Sequence, residues 1–131
     1  MTRVLQWLAL SVCFIPVASF GQEVAIKLAE CVYAIKGPGD GINTGVVVGD
    51  RGVFVFACDL RDYDRRLQAI RSVAGGKPIR FVANGHFAGD DTMCNHLFAE
   101  QGAVVVGSLE LARQFLPYWP KRAQDELKQG K

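Results

Sequence analysis

The sequence predicts an α/β domain with the element order βββαβαβα. Three short runs rich in β-branched and aromatic residues, separated by turn residues, follow one another between Cys31 and Asp59. The apolar spacing then changes to three and four residues between Leu60 and Ala74, the period of a helix face. Two further apolar runs, Pro78 to Ala83 and Ala103 to Gly107, each lead into another helical pattern.

CVYAIKG (Cys31 to Gly37), NTGVVVGD (Asn43 to Asp50) and GVFVFACD (Gly52 to Asp59) are the three opening strands. GPGDGIN joins the first two as a loop, and the Asp50-Arg51-Gly52 link is short enough for a hairpin turn. Leu60, Tyr63, Leu67, Ile70 and Ala74 fall on one face of the first helix, with Arg61, Asp64, Arg65, Arg66 and Arg71 mostly elsewhere. Asp59 is placed to cap this helix and Gly75-Gly76 to stop it. PIRFVA (Pro78 to Ala83) is the fourth strand. Thr92 to Gln101 reads as the second helix, with Met93, Leu97 and Phe98 inward and Gly102 as its stop. AVVVG (Ala103 to Gly107) is the fifth strand, and Ser108 caps a third helix carrying Leu109, Leu111, Ala112, Phe115 and Leu116. Pro117 and Pro120 are expected to break it, leaving Lys121 to Lys131 as a charged tail, helical or frayed. Strands as continuously apolar as VVV and VFVF are usually covered on both faces. Three helices cover one face, so the other is expected to lie bare.

The chain has 131 residues, of which 50% are hydrophobic and 21% charged, the profile of one compact domain. Its net charge is only +2 and its basic residues alternate with acidic ones, as in RDYDRR, so no one-signed stripe exists to follow a nucleic-acid backbone. Arg3 followed by the apolar run Val4 to Val17 has the form of a secretory signal peptide, with cleavage after Ser19 or Gly21. The run is shorter than the ~20 residues of a membrane span and contains Gln6, so no stable span is expected after cleavage. The expected division is a signal peptide over 1–21, a folded domain over 22–117 and a charged tail over 118–131, in a periplasmic or secreted protein. Beyond the signal lie Cys31, Cys58 and Cys94, an odd number in a compartment that permits disulfides.

NGHFAGDDTMCN, Asn84 to Asn95, follows the fourth strand directly. Loops at the carboxyl ends of strands are where open α/β folds place ligands. His86, Asp90 and Asp91 offer one imidazole and two carboxylates, a candidate zinc donor set. A plainer reading makes Asp90 or Asp91 the cap of the helix that follows, Cys94 a small buried residue and His96 a surface one.

With its element order, this motif resembles the metallo-β-lactamase-fold hydrolases, from about Val32 to about Leu116. The family motif is His-x-His-x-Asp-His preceded by Asn-Thr. Asn84 falls on the Asn, His86 on the first histidine and Asp90 on the aspartate. Ala88 replaces the second histidine, Asp91 the last, and Gly85 the Thr; Ala57 stands where the family has an orienting Asp at the end of its third strand. The resemblance implies the N-terminal αβ half of an αββα sandwich, and zinc as the cofactor if one is bound. It also implies an uncovered sheet face that a homo-oligomer or a complementary protein would cover.

Three functions follow as expectations. The first is an exported, divergent and inactive half-domain acting as a binding or assembly module, a pseudoenzyme whose motif is the remains of a dinuclear zinc loop. The second is a zinc-dependent hydrolase whose site is completed by a partner subunit. The third is a small thiol or soft-metal protein, because the resemblance brings Cys58 and Cys94 close to each other and to His86, for a Cys/Cys/His site or simply a disulfide.

Overall fold

The computed structural model of the chain describes residues 25–37, 39 and 41–128, so the signal segment lies outside the described residues. One sheet holds six strands in sequence order: β1 (Ala25–Ala29), β2 (Val32–Ile35), β3 (Thr44–Val48), β4 (Val53–Phe56), β5 (Ile79–Ala83) and β6 (Val104–Val106). The first three pairings are antiparallel and the last two parallel. This follows from the connections: two tight turns and the loop over 36–43 join β1 through β4 without a helix, whereas helices intervene before β5 and before β6.

A 3₁₀ turn (Leu60–Asp62) and α1 (Tyr63–Ala74) lead from β4 to β5. As expected, Asp59 caps this segment, accepting from the Arg61 N–H at 3.0 Å, and Gly75 closes α1 in the left-handed region at φ 59°. α1 lies against β1, β2 and β3, while α3 (Asn95–Glu100) lies against β5 and β6. Both helices therefore cover one face. Leu67, Ile70 and Ala74 of α1 and Phe98 of α3 meet Ile35, Val46, Val48, Val53, Val55 and Val82 of the sheet in a single core. Tyr63 and Phe98 pack edge to face there, with ring centroids 5.3 Å apart.

Four expectations are corrected in detail. β1 precedes the first expected strand, paired to β2 across a tight turn in which Cys31 takes φ 61°. The second helix is two short pieces, α2 (Gly89–Thr92) and α3, and Met93 at the break faces solvent. The third helix does not stop at its prolines: α4 runs Leu109–Lys128 with Pro117 and Pro120 inside it. Arg66, expected away from the core, is fully buried, because it sits four residues before Ile70 on the same helical face.

The bare face is present. Strand register lines up two rows across it: Ile26, Ala34, Gly45, Phe56, Ala83 and Val106 in one, and Ala29, Val32, Val47, Phe54, Phe81 and Val104 in the other. No member is charged or carries a polar side chain. Val47 is 41%, Phe81 45%, Phe56 46% and Val104 55% exposed, far above the values of core residues, whereas Ala83, between Phe56 and Val106, is buried.

Candidate functional site

β5 ends at Ala83, and the Asn84 N–H continues the ladder to the Val106 carbonyl at 3.3 Å. The chain then turns through the motif loop into α2. What holds this turn is a set of polar contacts that leaves Asp91 Oδ1 and Asn95 Oδ1 buried without a partner. The Asp91 Oδ2 accepts from the Gly85 N–H at 2.8 Å and the His86 N–H at 2.6 Å. Asn84 Nδ2 donates to the Asp91 carbonyl at 2.6 Å, and Asn95 Nδ2 donates to Asn84 Oδ1 at 2.8 Å. Thr92 Oγ1 donates to the Ala88 carbonyl at 2.9 Å. Asp91 is thus a buried brace of the loop and not a helix cap; the residue before α2 is Ala88, which makes no side-chain cap.

The three expected donors do not converge. Asp91 points inward, while His86 and Asp90 are exposed. His86 Nδ1 accepts from the Ala88 N–H at 3.2 Å. That contact occupies Nδ1 and leaves Nε2 as the nitrogen a metal would have to use. Among the described residues, no three His, Cys, Asp or Glu side chains are grouped so as to hold a metal ion. As arranged, the residues present do not fit zinc.

The aromatic middle of α4, Tyr118 and Trp119, lies over this loop. His86 stacks on Phe87 with centroids 4.6 Å apart, and Phe87 meets the Tyr118 ring edge to face at 4.9 Å. A methyl group on Gly89 would stand 3.3 Å from Trp119 Cη2, so glycine permits the close approach of α4. On the other side, a Cβ at Gly85 would come within 2.9 Å of Phe56 Cζ. Where the motif has Thr in the hydrolases it resembles, this chain uses the space for a phenylalanine of the open face.

Cys58 and Cys94 are both fully buried, and the resemblance rightly brought them together. The hydrogen bond that the Cys94 thiol gives to Cys58, added to burial, pushes the Cys94 thiol far above its ordinary range. His86 does not join them. Next to this pair Arg66 Nη1 donates to Thr44 Oγ1 at 2.5 Å, but its Nε and Nη2 are buried without acceptors. Sequence reasoning missed this charge; the signal for it was the three- and four-residue spacing of Arg66 from Tyr63 and Ile70. Arg61 grips the Asp59 carboxylate through Nε at 3.0 and 2.9 Å, and this hydrogen-bonded pairing holds the carboxyl below its usual value. Ala57, in the position of the orienting Asp, adopts φ 59° and donates its N–H to the Ala83 carbonyl at 2.9 Å.

No family model matches the sequence, and no curated protein does. Solved structures do. A metallo-β-lactamase with a HARLDQ motif from Cronobacter sakazakii (Enterobacter sakazakii) superimposes with a TM-score of 0.57 at 20% identity, over 70% of this chain and 37% of that one. FIM-1 from Pseudomonas aeruginosa, in its mono-zinc form, gives 0.58 at 14% identity over 72% of this chain and 46% of that one. BJP-1, a subclass B3 metallo-β-lactamase of Bradyrhizobium japonicum, gives 0.52 at 21% identity over 62% and 31%. The chain therefore spans less than half the length of each of these three. At these identities the likeness is one of fold, and the described chain has the mixed α/β fold of the N-terminal half of metallo-β-lactamases.

Proposed function

We propose that this chain is an exported, catalytically inactive metallo-β-lactamase-like half-domain that works as a binding or assembly module through its open sheet face. The observation that carries the reading is the use of the motif's polar groups. Asp91 braces two backbone N–H groups and His86 Nδ1 accepts from a third, so the former donors now stabilise the strand-to-helix turn. Ala88 and Ala57 supply no ligand or orienting carboxylate at the positions where the hydrolases it resembles have them. Export rests on the signal-like run at residues 4–17, with a periplasmic or secreted destination. Among the described residues no helix is long and apolar enough to cross a membrane.

A zinc site completed by a partner subunit is the second reading, and it is favoured by His86 and Asp90 both facing solvent at the end of β5. Native mass spectrometry of the chain, purified with added zinc and without chelator, decides between them. The expected species carry no stoichiometric zinc and hydrolyse no chromogenic lactam. One zinc per chain, lost in Asp90→Ala and accompanied by metal-dependent hydrolysis, would sink the inactive reading in favour of the completed site.

A further inference from the structure

We infer that the open face is a self-association surface, and that its occupant is a second copy of this chain. The inference rests on the reading above that the face, and not the loop, is the working surface. Two properties of the face select a second copy. Its twelve register positions carry no charge, and the charges beside them, Asp50, Arg51 and Arg80, line one end of the face with Val47, Phe54 and Phe81 and are of both signs, so that two copies can pair them. Its side-chain sizes are also self-complementary about a definite axis. The large residues Phe54, Phe56 and Phe81 lie on β4 and β5, and the small residues Ala34, Gly45, Val32 and Val47 on β2 and β3.

Place a twofold axis in the interface, along the strands and midway between β3 and β4. Each strand of one copy then lies over its mirror in the order: β4 over β3, β5 over β2 and β6 over β1. In one row Phe56 faces Gly45 of the second copy, Ala83 faces Ala34, and Val106 faces Ile26. In the other, Phe54 faces Val47, Phe81 faces Val32, and Val104 faces Ala29. Every phenylalanine meets a smaller residue, and each contact occurs twice, as an isologous interface requires. An offset of about 30° from the twist of each sheet keeps the match closest near the axis, as in aligned sandwiches. The product is a four-layer body, helices outside and two sheets within, built from two identical halves.

Sedimentation velocity on the full chain tests this between about 1 and about 100 μM, bracketing a dissociation constant of ~10 μM. Reductant is needed, since exposed Cys31 would otherwise couple chains covalently. A dimer is expected, with Val47→Lys weakening it at least about a hundredfold, because a lysine there is buried unpaired beside the axis. Val47 is exposed in the single chain, so its circular dichroism should not change. The axis itself is tested with Val32→Cys and Phe81→Cys together in a Cys31→Ser background. Three strand spacings, ~14 Å, separate the two sites within one chain, too far for a short bis-maleimide. In the dimer they face each other, and cross-linked dimers are expected. A dimer that survives Val47→Lys, or one that does not cross-link, overturns the proposal. A monomer throughout the range also overturns it, and an apolar dye then separates the causes. Dye binding lost in Val47→Lys leaves the face open for a different protein, whereas no dye binding removes the face as a working surface altogether.

Discussion

Asp91 gives its Oδ2 to two backbone N–H groups while its neighbour Asp90 stands in solvent, so substitution should separate the two carboxylates. Asp91→Ala is expected to cost about 2–4 kcal/mol by urea unfolding, because two charge-assisted hydrogen bonds disappear inside the structure. Asp90→Ala should stay within about 0.5 kcal/mol. Equal, small effects would mean that Asp91 does not brace the loop. The Asp59 carboxyl has a folded-state pKa below its ordinary 3.8, chiefly through the hydrogen bond from Arg61. A depressed carboxylate stabilises the fold fully above its unfolded pKa, and that contribution is lost as pH falls through the folded value. Asp59→Asn should therefore lower stability at neutral pH and flatten the fall below about pH 3.8. An unchanged acid limb would remove the Arg61 pairing as its cause. Of the three thiols described, Cys31 should react with a thiol reagent in the native protein, and Cys58 and Cys94 only after unfolding, as their burial requires.

α4 carries no large buried stretch, and its hold on the rest of the molecule comes through Phe87, Tyr118 and Trp119. Tyr118→Ala should release it, raising amide hydrogen exchange over 109–128 while the sheet stays protected; loss of protection in β3 and β4 as well would show α4 to be part of the core. This helix also marks where sequence reasoning stops. Pro117 and Pro120 remove the N–H groups that Arg113 and Leu116 carbonyls would otherwise receive, a loss that breaks a buried helix. Here both residues are exposed, so water can serve those carbonyls and the helix continues. β1 was illegible for a different reason: AIKLA is exposed along almost its whole length and shows no alternation, and it is a strand because β2 offers an edge. Leu67, Ile70 and the VFVF and VVV runs were legible because burial wrote their period into the sequence. Arg66 shares that period with Tyr63 and Ile70, but its charge assigned it to the surface until the fold placed Thr44 against it.

At the scale of the whole molecule, the sequence foretold one covered and one bare sheet face from helix number alone, and the motif loop from its position after a strand. It could not tell that Asp91 turns inward, because adjacent carboxylates are equivalent until backbone direction separates them. If two copies close over the bare face, folding and association become one equilibrium. The thermal midpoint should then rise by a few °C for each tenfold rise in chain concentration. A midpoint independent of concentration would mean that each copy folds without its twin. The close approach of Gly85 to Phe56 joins the motif loop to the open sheet face. A threonine at 85 would drive Cβ into the Phe56 ring of the open sheet face. Gly85→Thr should accordingly be harmful beside Phe56 and tolerated beside Leu in its place. A bulkier residue in the motif loop at 85 thus requires a smaller one on the open sheet face at 56, so the two positions can change only together.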